Sequence, residues 1–97
     1  MAHYVGVFMP LDAGGWRAIF PDIPHCQVEE ASLDLAIFSA IAALAEVKQT
    51  SDRPIASPRD LADIRVDDEW AAINGVDWSR SIVTMIPLRG WVNGHSV

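Results

Sequence analysis

The sequence predicts an α+β fold of order β-β-β-α-β: a three-stranded antiparallel meander, one main helix packed on the sheet, and a further strand. Three observations predict it. Two runs rich in β-branched and aromatic residues flank a loop containing Gly14-Gly15, apolar residues recur at helical spacing from Leu33 to Val47, and strand composition returns from Ser81 to Leu88. With 97 residues the chain is one domain's worth. A chain of this size buries roughly 60 to 70 per cent of its unfolded surface, enough for one core.

The first strand is expected over His3 to Pro10, where the terminal proline closes the run because it cannot donate to a ladder. Leu11-Asp12-Ala13-Gly14-Gly15 supplies the glycines of a hairpin loop, and Trp16 to Phe20 follows as the second, antiparallel strand. Pro21, Asp22 and Pro24 make a structural turn: proline fixes φ, and the aspartate accepts a local backbone N–H. A third strand is expected at about His25 to Ala31. Ser32 is a good N-cap and Asp34 a favourable first-turn charge for a helix running from Leu33 to about Gln49. Leu33, Ile37, Ala40, Leu44 and Val47 form the stripe expected to face the sheet. Thr50 to Arg59 reads as a surface connector, with a short helical turn starting at Ser57-Pro58. Asp68 to Asn74 reads as a short helix stopped by Gly75, and Ser81 to Leu88 as the fourth strand.

Composition excludes several classes of function. Hydrophobic residues make up 51% and charged residues 21%, a globular balance rather than a disordered one. Seven basic residues against thirteen acidic ones leave a formal charge of −6, so no nucleic-acid contact is expected from this segment alone. The longest nearly apolar stretch, Leu35 to Ala45, is far short of the roughly 20 residues a bilayer requires, so no membrane contact is expected. A single cysteine, Cys26, has no intrachain partner, and a reducing cytoplasm fits it.

Catalytic chemistry finds little support. The element order resembles part of the ribonuclease H fold, whose nucleases bind metal through carboxylates, yet the first strand contains no acid. Asp12 and Asp22 fall in loops, and Glu29 and Glu30, adjacent in a strand, point to opposite faces. His25 and Cys26 are separated by the same alternation and make a poor base–thiol pair. His3, His25, Cys26 and His95 show no metal-ligand spacing, and Gly14-Gly15 belongs to neither phosphate-loop pattern. No catalytic residue, metal site or cofactor is expected. Trp16, Trp70, Trp78 and Trp91 read as half-buried core.

Two surface features point to protein binding instead. Leu35, Phe38, Ile41, Ala42 and Ala45 make an apolar strip on the far side of the main helix, expected to serve an oligomer or partner interface. Asp60, Asp63, Asp67, Asp68 and Glu69 form an acidic cluster around Arg65, a solvated face or a docking site for a basic partner.

The run Gly15-Trp16 through Phe20-Pro21-Asp22-Ile23-Pro24, then Cys26, Ser32-Leu33 and Ala36, Ala40 and Leu44, resembles the HicB family of antitoxins. Pro54-Ile55, Ser57-Pro58, Leu61 and Ile86-Pro87-Leu88 follow in the family's order. The resemblance implies a partial RNase H-like domain without nuclease activity. Such a domain acts as the antitoxin of a type II toxin–antitoxin system, neutralising a HicA-type mRNA-cleaving toxin by direct binding. The alternative is an orphan HicB-like oligomeric scaffold without a toxin. His25 stands where the family commonly has glycine, and Leu35, Phe38, Ile41 and Ala42 stand where its helix is commonly polar. A dimer or larger assembly is therefore expected. The family commonly continues into a C-terminal DNA-binding unit, absent from this sequence, through which operator DNA would be bound; the chain is expected to be the toxin-binding domain of a longer antitoxin or a member that lost that unit.

Overall fold

The computed structural model describes residues 2–50, 55–88, 91–92 and 95–96. Three strands form the meander: β1 (His3–Pro10), β2 (Trp16–Ile19) and β3 (Gln27–Glu30), followed by the helix α1 (Leu33–Thr50). Two short helices, α2 (Leu61–Arg65) and α3 (Asp68–Asn74), precede β4 (Ile82–Pro87). β5 (Trp91–Val92) and β6 (His95–Ser96) make a separate antiparallel pair that the sequence reading did not anticipate. The main sheet has the order β3-β2-β1-β4, and all its pairings are antiparallel.

Strand alternation divides the core into two. Tyr4 and Phe8 of β1, Ala18 of β2 and Ile86 of β4 point to one face, where Ala36, Ala40 and Leu44 of α1 cover them. Val5, Val7 and Met9 point to the other, with Ile19, and there they meet Ile64 of α2. Leu61, Trp70, Val76, Trp78 and Val83 complete that second cluster. The molecule is thus layered as α1, sheet, and α2–α3. The meander, the helix on the sheet and the short helix 68–74 agree with the expectation. The sequence reading did not foresee that α2 and α3 would roof the second face.

Local chemistry accounts for the boundaries. The Ser32 hydroxyl accepts from the Leu35 N–H at 3.3 Å and so caps α1, while Asp34 and Lys48 sit at the ends that suit their charges. The Asp67 carboxylate accepts from the Trp70 N–H at 3.1 Å to start α3, and Gly75 ends it in the left-handed region at φ 65°. The helical turn expected at Ser57-Pro58 begins later, at Leu61, because Asp60 is extended (φ −70°, ψ 148°) and Arg59 is held by Asp22.

The buried arc of α1 is wider than the expected stripe. Ala36 is fully buried, and Ala45, expected in the exposed strip, is buried as well at 4% exposure. An alanine side chain ends at Cβ, close to the helix cylinder, so a position on the flank is enough to shield it. Ile41 packs against the edge of the core as well.

Both hairpin-loop glycines have positive φ, Gly14 at 95° and Gly15 at 89°. A Cβ at Gly14 would meet nothing within 4 Å, whereas one at Gly15 would lie 2.7 Å from the Glu30 carbonyl oxygen. Urea unfolding is expected to show Gly14→Ala costing about 1 kcal/mol from backbone strain alone, and Gly15→Ala costing more, about 2–3 kcal/mol. Equal costs would show that the loop moves away from β3 at no penalty.

Candidate protein-binding surface

The chain from Ile55 to Asp60 leads to the acidic cluster, and two residues of the meander hold it. The Tyr4 hydroxyl donates to the Ala56 carbonyl at 2.6 Å. Asp22, in the turn between β2 and β3, accepts from the Arg59 backbone N–H at 2.7 Å and pairs with the Arg59 Nε through its other oxygen. The Asp22 side chain is only 6% exposed, so the ion pair is screened little on the acid's side. That pairing holds the Arg59 guanidinium above its ordinary pKa, and burial beside the Asp22 charge raises the Tyr4 phenol. The Asp22 side chain, expected to accept a local backbone N–H, instead anchors Arg59 across 37 residues of sequence, and the turn around it is held by backbone bonds from Ile23 to Phe20 and from Cys26 to Ile23.

Beyond the anchor, Leu61 and Ile64 face the sheet and Asp60 and Asp63 face solvent. Asp67 is engaged: it caps α3 and lies 3.6 Å from the Arg59 Nη1. Asp68 and Glu69 of α3 are exposed. The cluster's cations are partly spent within the fold, Arg59 on Asp22 and Asp67, and Arg65 over the Trp78 ring at 5.5 Å from its centroid. Trp70 and Trp78 lie against each other, with centroids 6.1 Å apart, and brace the layer from beneath. The surface above them is left acidic.

Two apolar side chains that the sequence reading did not select stand among these acids. Val66, the C-cap of α2, is 77% exposed, and Ile73 of α3 is 76% exposed. Ile73 follows Glu69 by one helical turn on the outer face.

The strip on α1 is partly as expected. Leu35 and Phe38 are exposed, at 50% and 76%, and Ala42 is exposed beside them. Ile41 is half-buried and Ala45 is not available for contact. The strip and the acidic cluster lie in the two outer layers, so the structure does not bring them together.

Other candidate chemistry is placed as follows. Cys26 is buried while His25 is exposed, but β3 begins only at Gln27, so both residues belong to the turn before the strand and strand alternation is not what separates them. Burial, and to a lesser degree the Glu46 charge, push the Cys26 thiol up to about 11. Glu30 accepts from the Ser39 hydroxyl at 2.8 Å, joining β3 to α1, and Glu29 is exposed. An open cleft of about 260 Å³ lies between the hairpin tip at Pro10–Asp12 and the segment from Gly75 to Ser81. Its Asp77 is occupied by Ser79, whose side-chain and backbone hydrogen bonds hold the carboxyl below its ordinary value. Among the described residues no group of three or more His, Cys, Asp or Glu is placed to hold a metal ion, and no helix is long and apolar enough to cross a membrane. Trp16 is half-buried, like Trp70 and Trp78. The side chains of Trp91 and His95, and the whole of Pro54, lie outside the described residues.

No protein-family model matches the chain, and no curated protein matches it.

Asp22→Ala removes both bonds to Arg59 and is expected to cost about 2–3 kcal/mol in urea unfolding. Arg59→Ala should cost less, because the backbone N–H at position 59 keeps its acceptor; the reverse order would show that the side-chain ion pair carries the anchor. For Cys26 the raised folded-state pKa means that the folded chain holds the thiol proton more tightly than the unfolded chain. That stability is complete below about pH 9 and is lost as pH rises toward about 11. Unfolding free energies of the wild type and Cys26→Ala, from urea titrations, should therefore converge by about 2–3 kcal/mol across that window; a gap independent of pH would show that the thiol ionises freely.

Proposed function

We propose that this chain is a non-enzymatic antitoxin domain of a type II toxin–antitoxin system, acting in the cytoplasm, that neutralises a HicA-type mRNA-cleaving toxin by binding it directly. The observation that carries the reading is the outer surface of the α2–α3 layer. There Asp60, Asp63, Asp68 and Glu69 are exposed carboxylates, and Val66 and Ile73 are exposed apolar side chains among them. A toxin that grips RNA needs cationic surface to do so. Carboxylates compete with phosphates for such a surface, and the apolar residues add contact area that RNA phosphates cannot. Inhibition is then occlusion, in which the antitoxin layer covers the RNA-cleaving face and no bond is made or broken.

Support also comes from the resemblance of Phe20-Pro21-Asp22-Ile23-Pro24 and its flanking residues to HicB antitoxins. In this reading the fold is the partial RNase H-like domain of that family. Asp22 anchors Arg59 rather than serving as a metal ligand, which suits a domain with no hydrolytic role. The formal charge of −6 would speed encounter with a basic toxin over long range.

Coexpression with the product of the adjacent small open reading frame is expected to relieve growth arrest and to yield a complex that survives moderate salt. Charge reversal at Asp63 and Glu69 together, Asp63→Lys with Glu69→Lys, should slow association about tenfold or more at low ionic strength, with the difference shrinking as salt rises. Absence of rescue by demonstrably folded protein would overturn the proposal. An association rate indifferent to the double reversal would move the toxin contact away from α2 and α3.

A further inference from the structure

The exposed side of α1 carries a pattern that complements itself. Leu35, Phe38, Ala42 and Gln49 are exposed and follow one another at steps of 3, 4 and 7 residues, positions of a helix–helix seam, while Ala45 between the last two is buried within the chain's own fold. Asp34 and Lys48 flank that seam on one side, at opposite ends, and Ser32, Ser39 and Glu46 flank it on the other. Phe38 is 76% exposed and Leu35 50%, so two large apolar side chains stand beside the small Ala42.

We propose that this face of α1 packs against the same face of a second copy of the chain, with the two helices antiparallel. The occupant is chosen by size and charge together. Turned about a twofold axis at residue 40, Phe38 of each copy meets Ala42 of the other, so a large exposed residue falls on a small exposed one at two symmetric points. In the same register Asp34 of each copy lies beside Lys48 of the other, giving two ion pairs. On the opposite side Ser39 faces Ser39, and Glu46 faces Ser32, so no like charges meet. Parallel pairing would set Phe38 against Phe38 and hold Asp34 and Lys48 at opposite ends of the interface. A twofold contact must be self-complementary, and only the antiparallel arrangement makes this face so. The inference does not depend on the antitoxin reading, because the acidic layer lies on the other side of the sheet.

Lys48 is the only lysine in the sequence, which makes the register directly readable. A zero-length carbodiimide couples an amine to a carboxylate in contact with it. Within one helix Asp34 and Lys48 are about 21 Å apart, too far to be joined. In full-length protein, mass spectrometry of the cross-linked dimer is expected to find Lys48 joined to Asp34, and sedimentation to give a dimer mass. Phe38→Glu should weaken the dimer at least about thirtyfold while leaving the far-UV circular dichroism unchanged. A monomer at all accessible concentrations, an intermolecular link from Lys48 to an acid of α2 or α3, or a Phe38→Glu variant that still dimerises would each overturn the proposal.

Discussion

The burial of β1 on both faces is the constraint from which the rest of the architecture follows. From Tyr4 to Met9 every residue of the strand is buried, with Tyr4 and Phe8 turned to one side and Val5, Val7 and Met9 to the other. A strand in this state cannot belong to a two-layer protein with one wet sheet face. Its neighbours β2 and β4 satisfy its backbone groups, and α1 covers one side. The second side needs its own roof, yet among the described residues after α1 there is no long helix to supply one. It uses two short helices instead, fastened by Ile64 and by the paired rings of Trp70 and Trp78.

Short helices do not hold themselves in place, since fewer than about 12 residues are marginal even in favourable sequences. Tertiary anchors compensate. Asp22 takes the backbone and side chain of Arg59 just before α2, Tyr4 takes the carbonyl of Ala56, and Asp67 both caps α3 and attracts Arg59. Polar residues that look like candidates for chemistry in a linear reading are thus consumed in positioning a layer. On that layer's outer surface Asp60, Asp63, Asp68 and Glu69 are exposed, and among the described residues they form no such anchor.

This division explains what could be read in advance. The strands, the main helix and its Ser32 cap rest on local signals, namely residue type, period and turn chemistry, and they appear close to where those signals place them. The second layer depends on contacts across long sequence separations. His-Tyr-Val-Gly-Val-Phe-Met was legible as a strand, but nothing local identified Leu61 and Ile64 as the cover of its second face. At the surface the acids were legible as a group, whereas Asp67 could not be told from its neighbours without Arg59 and Trp70. Ala45 shows the same limit on α1, where the wheel gives direction but not depth.

The two outer layers differ in the physics they offer a partner. The α2–α3 surface is acidic with isolated apolar side chains, a combination that favours fast, salt-sensitive encounter with a basic protein. The α1 surface places Phe38 and Leu35 beside alanine, with charges only at its margins, a combination that favours close packing and slow separation. Because the sheet stands between them, occupation of one layer leaves the other open. A twofold assembly through α1 would then carry two acidic layers outward. Each added negative field would raise the local concentration of a basic partner at both sites without any change in the contacts that hold it.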